Sequence, residues 1–140
     1  MLRFRSKFEK KIASELQDQK IDYQYEGPIN TLSYVIPEQS HVYVCDFFLP
    51  NGILIETKGR FSKSDRKKHL YVRSQYPDLD IRFCFMYAKN KINKRSTTTY
   101  ADWCDKHDFF FCENSIPKEW LREEKSSEEF NKIMNILVSI

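Results

Sequence analysis

Apolar positions recur along the chain at two spacings, which separate predicted helices from predicted strands. Phe8, Ile12 and Leu16 lie at helical intervals behind the capping sequence from Ser6 to Glu9, and they predict a helix over residues 7–19. Short alternating or continuous apolar runs that end at glycine or proline are typical of strands. The predicted strands span residues 21–25, 32–36, 42–49, 52–58, 79–87 and 109–112.

The segments between and after the later strands predict further helices. Ser64 is placed to cap one of them, and an apolar stripe through Ile133 and Leu137 runs along the last. We expect this last helix to pack on its own core, with a dimer contact as the alternative. The predicted helices span residues 65–75, 99–107 and 127–140, with a helical turn over 117–122. The order of elements predicts an α/β fold with a central mixed β-sheet flanked by helices.

Two carboxylates and an amine are brought together by the predicted hairpin. Asp46 lies on its first strand, the turn from Pro50 to Gly52 reverses the chain, and Glu56 and Lys58 share one face of the returning strand. Their neighbours are apolar, and buried carboxylates require a partner or a metal. Two hard oxygen ligands suit Mg²⁺, while a lysine can orient a water or stabilise a phosphate. The set indicates phosphodiester hydrolysis, although merely solvated charges at strand ends are the plainer alternative.

Composition limits the class of protein. The chain has 140 residues, of which 41% are hydrophobic and 15% aromatic, so we expect one folded domain rather than disorder. We find no apolar run long enough to span a membrane and no apolar stretch of a signal peptide near the N-terminus. The cysteines form no Cys-x-x-Cys pair and are interpreted as reduced, buried residues: Cys45, Cys84, Cys104 and Cys112.

Charge is distributed unevenly. The net charge is only +3, yet the segment from Thr57 to Arg95 contains twelve basic residues and three acidic ones. A basic block directly after an acidic hairpin favours a surface that binds nucleic-acid phosphates beside a metal site. The alternative is a solvated basic helix, which is what most charge runs are.

Three other features have structural explanations on local evidence. Glu9 occupies the position at which a glutamate closes a helix cap after Ser6. His69 is a surface histidine on the second helix by default, with a phosphate contact as the alternative. A zinc site formed by His107 and nearby cysteines is disfavoured, because its spacing matches no usual finger and three phenylalanines interrupt it.

Several colinear stretches together resemble the phage endonuclease I family, the four-way-junction resolvases of T-odd podophages. The similarity covers about residues 4–120, most of the chain. The matching stretches are Phe4-Arg5-Ser6 with Glu9, Tyr34-Val35-Ile36-Pro37, Asp46-Phe47, Leu49-Pro50-Asn51-Gly52-Ile53, Glu56-Thr57-Lys58-Gly59, Ser64-Asp65-Arg66-Lys67-Lys68-His69-Leu70, Leu79-Asp80-Ile81-Arg82, and Ile116-Pro117 with Glu119-Trp120.

The resemblance implies a restriction-endonuclease-like core of the PD-(D/E)-x-K type. It implies a site formed by Asp46, Glu56 and Lys58, and it adds Glu9, which then acts as more than a cap. It also implies an intertwined homodimer in which strand exchange through residues 27–37 builds composite sites, with Glu9 of one subunit completing the site of the other. Residues 1–140 form a single endonuclease domain on this interpretation, and residues 126–140 form an amphipathic C-terminal helix.

The chain departs from the family pattern at four places. Cys45 stands where the motif has proline, which shapes only backbone, and the segment from Gly27 to Ser33 is slightly longer. The basic N-terminal extension of the family is nearly absent, and its basic C-terminal tail is replaced by the apolar-striped final helix. We expect the last two changes to weaken non-specific DNA affinity, since fewer phosphates are neutralised.

We therefore predict a Mg²⁺-dependent endonuclease that cuts branched double-stranded DNA with paired nicks, in the cytoplasm of an infected bacterial host. Asp46, Glu56 and the Thr57 carbonyl bind metal, Glu9 serves a second ion, and Lys58 activates the water. Two Mg²⁺ are expected per site, with Mn²⁺ as a substitute. The predicted DNA contacts are Arg60, Lys63, Arg66, Lys67, Arg73, Lys89, Lys91, Lys94 and Arg95. The rival interpretations are a mismatch-nicking or homing-type nuclease on the same core and a non-catalytic DNA-binding protein.

Overall fold

The computed structural model describes residues 3–36 and 39–139. Within them, helices and strands alternate much as the apolar pattern predicts. The helices are α1 (Lys7–Asp18), α2 (Lys63–Gln75), α3 (Tyr100–Lys106), α4 (Lys118–Arg122) and α5 (Ser127–Ser139). The strands are β1 (Gln24–Tyr25), β2 (Thr31–Ile36), β3 (Gln39–Val44), β4 (Phe47–Phe48), β5 (Ile53–Lys58), β6 (Asp80–Phe85) and β7 (Phe111–Glu113).

A five-stranded mixed sheet in the order β1-β4-β5-β6-β7 forms the centre of the molecule. β4 pairs antiparallel with β1 and with β5, whereas β5, β6 and β7 run parallel. Parallel neighbours need a crossover, and α2 supplies the one between β5 and β6. The predicted mixed α/β sheet flanked by helices is confirmed.

The predicted continuous strand over 42–49 was wrong. Pairing stops at Cys45 and Asp46, so that β3 pairs with β2 in a separate two-stranded sheet while β4 belongs to the main sheet. The Cys45 N–H donates to the Asn30 carbonyl at 2.7 Å, and its thiol donates to the Ile55 carbonyl at 3.2 Å. This interruption takes Asp46 out of the strand ladder.

The two faces of the main sheet are covered by different helices. Ile53 and Ile55 of β5 face α1, whose Ile12 and Leu16 are buried against them. Leu54 faces the opposite way, into a cluster that includes Val72 of α2 and Ile133 of α5. Side chains alternate along a strand, so Glu56 and Lys58 continue the face of Leu54 that α2 covers.

The β2–β3 hairpin docks on α2 within the same chain. The Gln75 side chain donates to the Val35 carbonyl at 2.6 Å and accepts from the Val35 N–H at 2.7 Å. The Tyr76 hydroxyl donates to the Ser33 carbonyl. The segment predicted to bridge two subunits, residues 27–37, contains a short 3₁₀ turn (Pro28–Asn30) and β2; its last residue lies outside the described part of the chain.

The second helix is capped two residues earlier than predicted, at Ser62 rather than Ser64. The Ser62 hydroxyl accepts from the Asp65 N–H at 3.1 Å, and the Asp65 carboxylate accepts from the Ser62 N–H at 3.1 Å. This reciprocal pair is a complete capping box, which explains why Ser62 is the cap.

The final helix packs along its apolar stripe on its own chain, where Ile133 and Leu137 are buried. Ile140, the last residue predicted for it, lies outside the described residues. Gly52, in the turn before β5, has a φ of +93°, a backbone conformation that favours glycine. In the described ranges no helix has the length and apolar character to cross a membrane.

Candidate metal and nucleic-acid site

Asp46 is held at the end of the main sheet by the strand beside it. Its Oδ2 accepts from the Thr57 backbone N–H at 2.9 Å and from the Thr57 hydroxyl at 2.8 Å. The side chain is 6% exposed. These two bonds fix one oxygen of the carboxylate, while neighbouring acids lie close to the group.

Glu56 and Lys58 lie together on the face covered by α2, as their spacing predicts. Glu56 is buried, with its Oε1 3.7 Å from His69 Nε2. Lys58 Nζ lies 3.4 Å from Asp65 Oδ1, so the acid that completes the capping box of α2 also bonds this lysine. The strand therefore positions one acid and one amine against the same helix.

Glu9 combines a capping role with a place in the acidic site. Its N–H donates to the Ser6 hydroxyl at 3.0 Å, which caps α1. Its carboxylate does not return to the cap residue, as a complete box requires, but accepts from the Arg5 N–H at 2.9 Å and the Tyr25 hydroxyl at 3.0 Å. Glu9 and Asp46 of one chain lie side by side, so a single chain brings these acids together.

Glu26 is an acid that the sequence did not single out. One carboxylate oxygen from each of Glu9, Glu26 and Asp46 lies within 4.8 Å of the other two. Glu26 follows a two-residue strand and adopts a φ of +46°, and Arg5 forms a salt bridge with it at 3.1 Å. Its position depends on this turn, and no spacing rule in the sequence indicates it.

The acids disfavour one another's charge. Burial, followed by the charge of Glu56, raises the pKa of Asp46 from 3.8 to about 8. Burial and the neighbouring Asp46 likewise raise the pKa of Glu9. Clustered carboxylates with raised pKa values are stabilised by a bound cation, and oxygen ligands are what Mg²⁺ and Mn²⁺ accept. The residues present thus fit a hard divalent cation.

The Thr57 carbonyl lies on the side of β5 that faces Asp46. The Lys58 carbonyl accepts from Met86 on the β6 side, whereas the Ile55 carbonyl accepts from Cys45 on the β4 side. Carbonyls alternate sides along a strand, so the Thr57 carbonyl points to the β4 side together with its own N–H. This orientation fits its predicted role as a ligand.

Lys58 is a charged ammonium in the metal-free protein. Burial by itself lowers the pKa of a lysine, but the carboxylates of Glu56, Asp65 and Asp46 outweigh burial and raise the pKa of Lys58. A protonated Lys58 donates hydrogen bonds and supplies positive charge to a phosphate beside the acids. A cation bound to these carboxylates would offset their negative charge and so weaken the effect that keeps Lys58 protonated.

His69 was expected at the surface, and the structure contradicts that expectation. It is 1% exposed and lies against Glu56. Burial, with the charges of Lys68 and Lys58, lowers the pKa of His69, so the ring is neutral. α2 turns this face to the sheet because Val72, one turn later, is also part of the core.

Five of the predicted DNA contacts line one open groove of about 630 Å³: Arg60, Lys63, Arg66, Lys91 and Lys94. The groove begins two residues after Lys58 in the chain. Arg66 differs from the others because it is buried, and its guanidinium donates to the carbonyls of Phe61 at 2.8 Å and Ile92 at 3.3 Å. Arg66 therefore joins α2 to the basic loop rather than presenting its charge to solvent.

The remaining predicted contacts are distributed more widely. Lys67 lines a neighbouring groove beside Lys68 and the β2–β3 hairpin, and Lys89 and Arg95 are exposed on the basic loop. Arg73 lies 3.8 Å from the centre of the Phe109 ring and donates to the carbonyls of His107 and Asp108. It fastens α2 to the turn before β7, away from the groove.

Comparisons with known proteins identify the family to which the chain is similar. A family model described as phage endonuclease I matches residues 1–137. The chain is 45% identical to endodeoxyribonuclease 1 of Enterobacteria phage T3 over 129 residues, which covers 92% of this chain and 84% of that protein. It is 43% identical to endonuclease I of Escherichia phage T7 over 130 residues, or 93% and 86% of the two chains.

Proposed function

Because the chain belongs to the phage endonuclease I family, we propose that it is a structure-selective endodeoxyribonuclease that resolves four-way DNA junctions. The observation that carries the proposal is the cluster of Glu9, Glu26 and Asp46 next to an open basic groove. Glu56 lies close enough to raise the pKa of Asp46, and both acids raise the pKa of Lys58. The relative from phage T3 is an endodeoxyribonuclease and the relative from phage T7 is an endonuclease, which supports hydrolysis of DNA rather than binding alone.

Each acid has a distinct part in holding cations. Asp46 and Glu56, with the Thr57 carbonyl, would hold one Mg²⁺, and Glu9 would serve a second beside Asp46. Once bound, such ions stabilise the attacking and leaving oxygens of the phosphodiester. The hydrogen bonds of Thr57 to Asp46 hold that carboxylate in place before any ion arrives.

Lys58 orients the nucleophilic water and the scissile phosphate. Its ammonium lies 3.4 Å from Asp65 Oδ1, close enough to Glu56 and Asp46 for their charges to raise its pKa, and there it can donate to a phosphate oxygen. The carboxylates of Glu56, Asp65 and Asp46 outweigh burial and raise the pKa of Lys58, so the lysine keeps the proton that it would donate to the phosphate. A positioned group of this kind contributes about 10²–10⁴-fold to a rate.

Recognition of DNA rests on phosphate contacts. The exposed basic residues of the two neighbouring grooves and the loop are Arg60, Lys63, Lys67, Lys89, Lys91, Lys94 and Arg95. Long, flexible cations at a groove recognise backbone charge and leave base sequence unread, so selectivity comes from the shape of the substrate. This favours branched DNA over a particular sequence.

We further propose that two chains, each one endonuclease domain, exchange residues 1 to about 36 and act as a homodimer in the host cytoplasm. Domain exchange reproduces the contacts of one chain between two, so the contact of Glu9 with Asp46 would join subunits. The two sites would then make paired nicks. Analytical ultracentrifugation of the protein tests the dimer.

The decisive test is cleavage of a cruciform plasmid and of a labelled four-way junction, with and without Mg²⁺. We expect paired nicks on the junction and none on a linear duplex of the same sequence. Equal cutting of the linear duplex would favour a mismatch-nicking or homing-type enzyme. Binding without cutting at any Mg²⁺ concentration would favour a DNA-binding protein.

Substitutions in the site should separate cutting from binding. We expect Glu56→Ala to abolish cleavage, and Lys58→Ala to slow it by about 10²–10⁴-fold, while both bind the junction as wild type does. Lys118→Ala, at an exposed lysine of α4, is the matched control and should cut normally. A Lys58→Ala protein that cleaves at the wild-type rate would contradict the assigned role.

A further inference from the structure

His69 lies in the core directly behind Glu56, the metal-facing acid of β5. Its Nε2 is 3.7 Å from Glu56 Oε1. The rings of Tyr43, Phe61 and Phe83 surround it, with centroids 5.0, 6.3 and 4.7 Å from the imidazole. A pocket of three aromatic rings would be filled at lower cost by an apolar side chain, because buried nitrogen atoms need hydrogen-bond partners.

The polar atoms in this pocket face one another. Both ring nitrogens of His69, the Oε1 atom of Glu56 and the hydroxyl of Tyr43 are buried without a hydrogen-bond partner among the described residues. A neutral imidazole carries one N–H and one acceptor nitrogen. If the proton were on Nδ1, two acceptors, Nε2 and Oε1, would face each other. A proton on Nε2 instead places a donor opposite the carboxylate.

We propose that His69 is a positioning residue that holds Glu56 by donating its Nε2–H to Oε1. A closer approach of less than 1 Å brings the pair to ordinary hydrogen-bonding distance. The other carboxylate oxygen of Glu56 is then left for the cation. The proposal rests on the proposed function of this site, and it assigns the histidine no contact with DNA or water.

The effect of such a bond is on metal affinity. Carboxylates that ligate metals are themselves oriented by hydrogen bonds, and loss of an orienting partner typically costs about 10–100-fold in metal affinity or activity. His69 lies on α2, whose Asp65 also contacts Lys58. One helix would thus orient both the acid and the amine of β5.

Three substitutions at this position separate a hydrogen bond from packing. His69→Leu keeps an apolar volume and removes the donor. His69→Gln can place an amide N–H near the position of Nε2, whereas His69→Asn can place one only near Nδ1. We expect Leu and Asn to raise the Mn²⁺ concentration for half-saturation by about 10-fold or more, and Gln to restore most of the affinity.

Binding of Mn²⁺ to the DNA-free protein should be measured by electron paramagnetic resonance, and junction cleavage at increasing Mg²⁺ should be measured in parallel. Urea unfolding establishes that each variant folds. Val72→Ala, one turn along the same face of α2, is the packing control and should lower stability without moving the metal titration. At saturating Mg²⁺ we expect the His69→Leu rate to return to within a few-fold of wild type.

Different failures identify different errors. If wild type neither binds Mn²⁺ nor cuts, the proposed function itself is overturned. If wild type does both and His69→Leu has the same metal titration, only the positioning role is overturned. Equal rescue by Asn and Gln contradicts the Nε2 donor. A shift in Tyr43→Phe without one in His69→Leu assigns the orienting bond to the tyrosine instead.

Discussion

Two groups of wholly or partly buried charges lie at opposite ends of the parallel pair β5 and β6, and their charges are balanced in one group and unbalanced in the other. At the start of β6, the Arg82 guanidinium donates to both oxygens of Asp80 at 2.8 Å and to both of Glu123 at 3.1 and 2.6 Å. Lys125 donates to Asp80 at 2.6 Å. Two cations and two anions neutralise each other there.

At the end of β5 the balance fails. Glu9, Glu26 and Asp46 meet there, Glu56 lies close to Asp46, and Lys58 is the cation that the strand itself supplies. Burial and like charges raise the pKa of Asp46 to about 8. At the other end, burial by itself would raise the pKa of Asp80, but bonds from Arg82 and Lys125 outweigh it and lower that pKa. An acid group left unbalanced inside a fold indicates a site for a cation, whereas a balanced one indicates a structural bond.

The largest stability effect should come from the balanced group. Arg82→Met leaves Asp80 and Glu123 without their shared partner, in a place where the Arg82 side chain is 5% exposed. Breaking a buried pair from one side costs about 3–5 kcal/mol, which we expect in the free energy of unfolding measured with urea. Arg122→Met, at an exposed arginine of α4, is the control and should cost less than about 0.5 kcal/mol.

Added Mg²⁺ should not restore Arg82→Met to wild-type stability, since no cation site is proposed at that end of the sheet. A loss below about 1 kcal/mol would mean that this network is as dispensable as a surface salt bridge. The contrast between the two ends of the sheet would then be wrong.

For the unbalanced group we expect a substitution to raise the free energy of unfolding rather than to lower it. A carboxyl whose pKa rises on folding holds its proton more tightly in the native state, so the native state loses stability as the pH rises from about 4 to about 8. Asp46→Asn removes this cost. We expect the metal-free variant to be more stable than wild type by on the order of 3 kcal/mol at pH 8.5 and equal to it near pH 4.

Comparing the two proteins removes the contribution of His69, whose pKa does not depend on Asp46, whereas Glu9 changes with Asp46 because that acid raises its pKa. Burial lowers the pKa of His69, which costs stability as the pH falls below about 6.5, but this cost is the same in both proteins and cancels. Added Mg²⁺ should stabilise wild type more at pH 8 than at pH 5, where it must displace a proton, and should leave Asp46→Asn nearly unchanged. A metal-free Asp46→Asn protein less stable than wild type at pH 8.5 would contradict the prediction.

Local rules in the sequence predicted most of the elements and the positions of Glu56 and Lys58 on one strand face. The hairpin turn and the period-two spacing of Glu56 and Lys58 placed those residues correctly, because both rules depend only on neighbours in the chain. The capping pattern located Glu9 at the start of α1, but it did not bring Glu9 to Asp46. That contact depends on packing of α1 against the sheet, and only family resemblance indicated it.

What local rules missed depends on breaks in regular structure. The interruption at Cys45 and Asp46 arises from a bond to Asn30, fifteen residues earlier, which no periodicity encodes. His69 was taken as exposed because its neighbours Arg66, Lys67 and Lys68 are basic, yet the face of α2 that carries it is turned to β5. Glu26 lies in a turn with positive φ, and it was overlooked because no periodicity in the sequence encodes such a turn.

The smallest predicted effect is on DNA affinity, and it comes from the basic groove. There an exposed basic residue can be compared with a buried one. Lys94 is exposed, whereas Arg66 in the same groove donates to two backbone carbonyls. Lys94→Ala should lower the slope of log affinity against log salt concentration for a junction by about 0.9, the value of one phosphate contact, and leave unfolding unchanged. Arg66→Ala should lower stability by about 1–3 kcal/mol, because the Phe61 and Ile92 carbonyls lose their donor, and change the salt slope less. Fluorescence anisotropy in stepped salt measures the slope, with Lys118→Ala as the charge-matched control.

The opposite result for Lys94 and Arg66 would mean that Arg66 breaks its hydrogen bonds to the carbonyls and binds DNA. Burial would then be a poor guide to which basic residues of this groove bind phosphate.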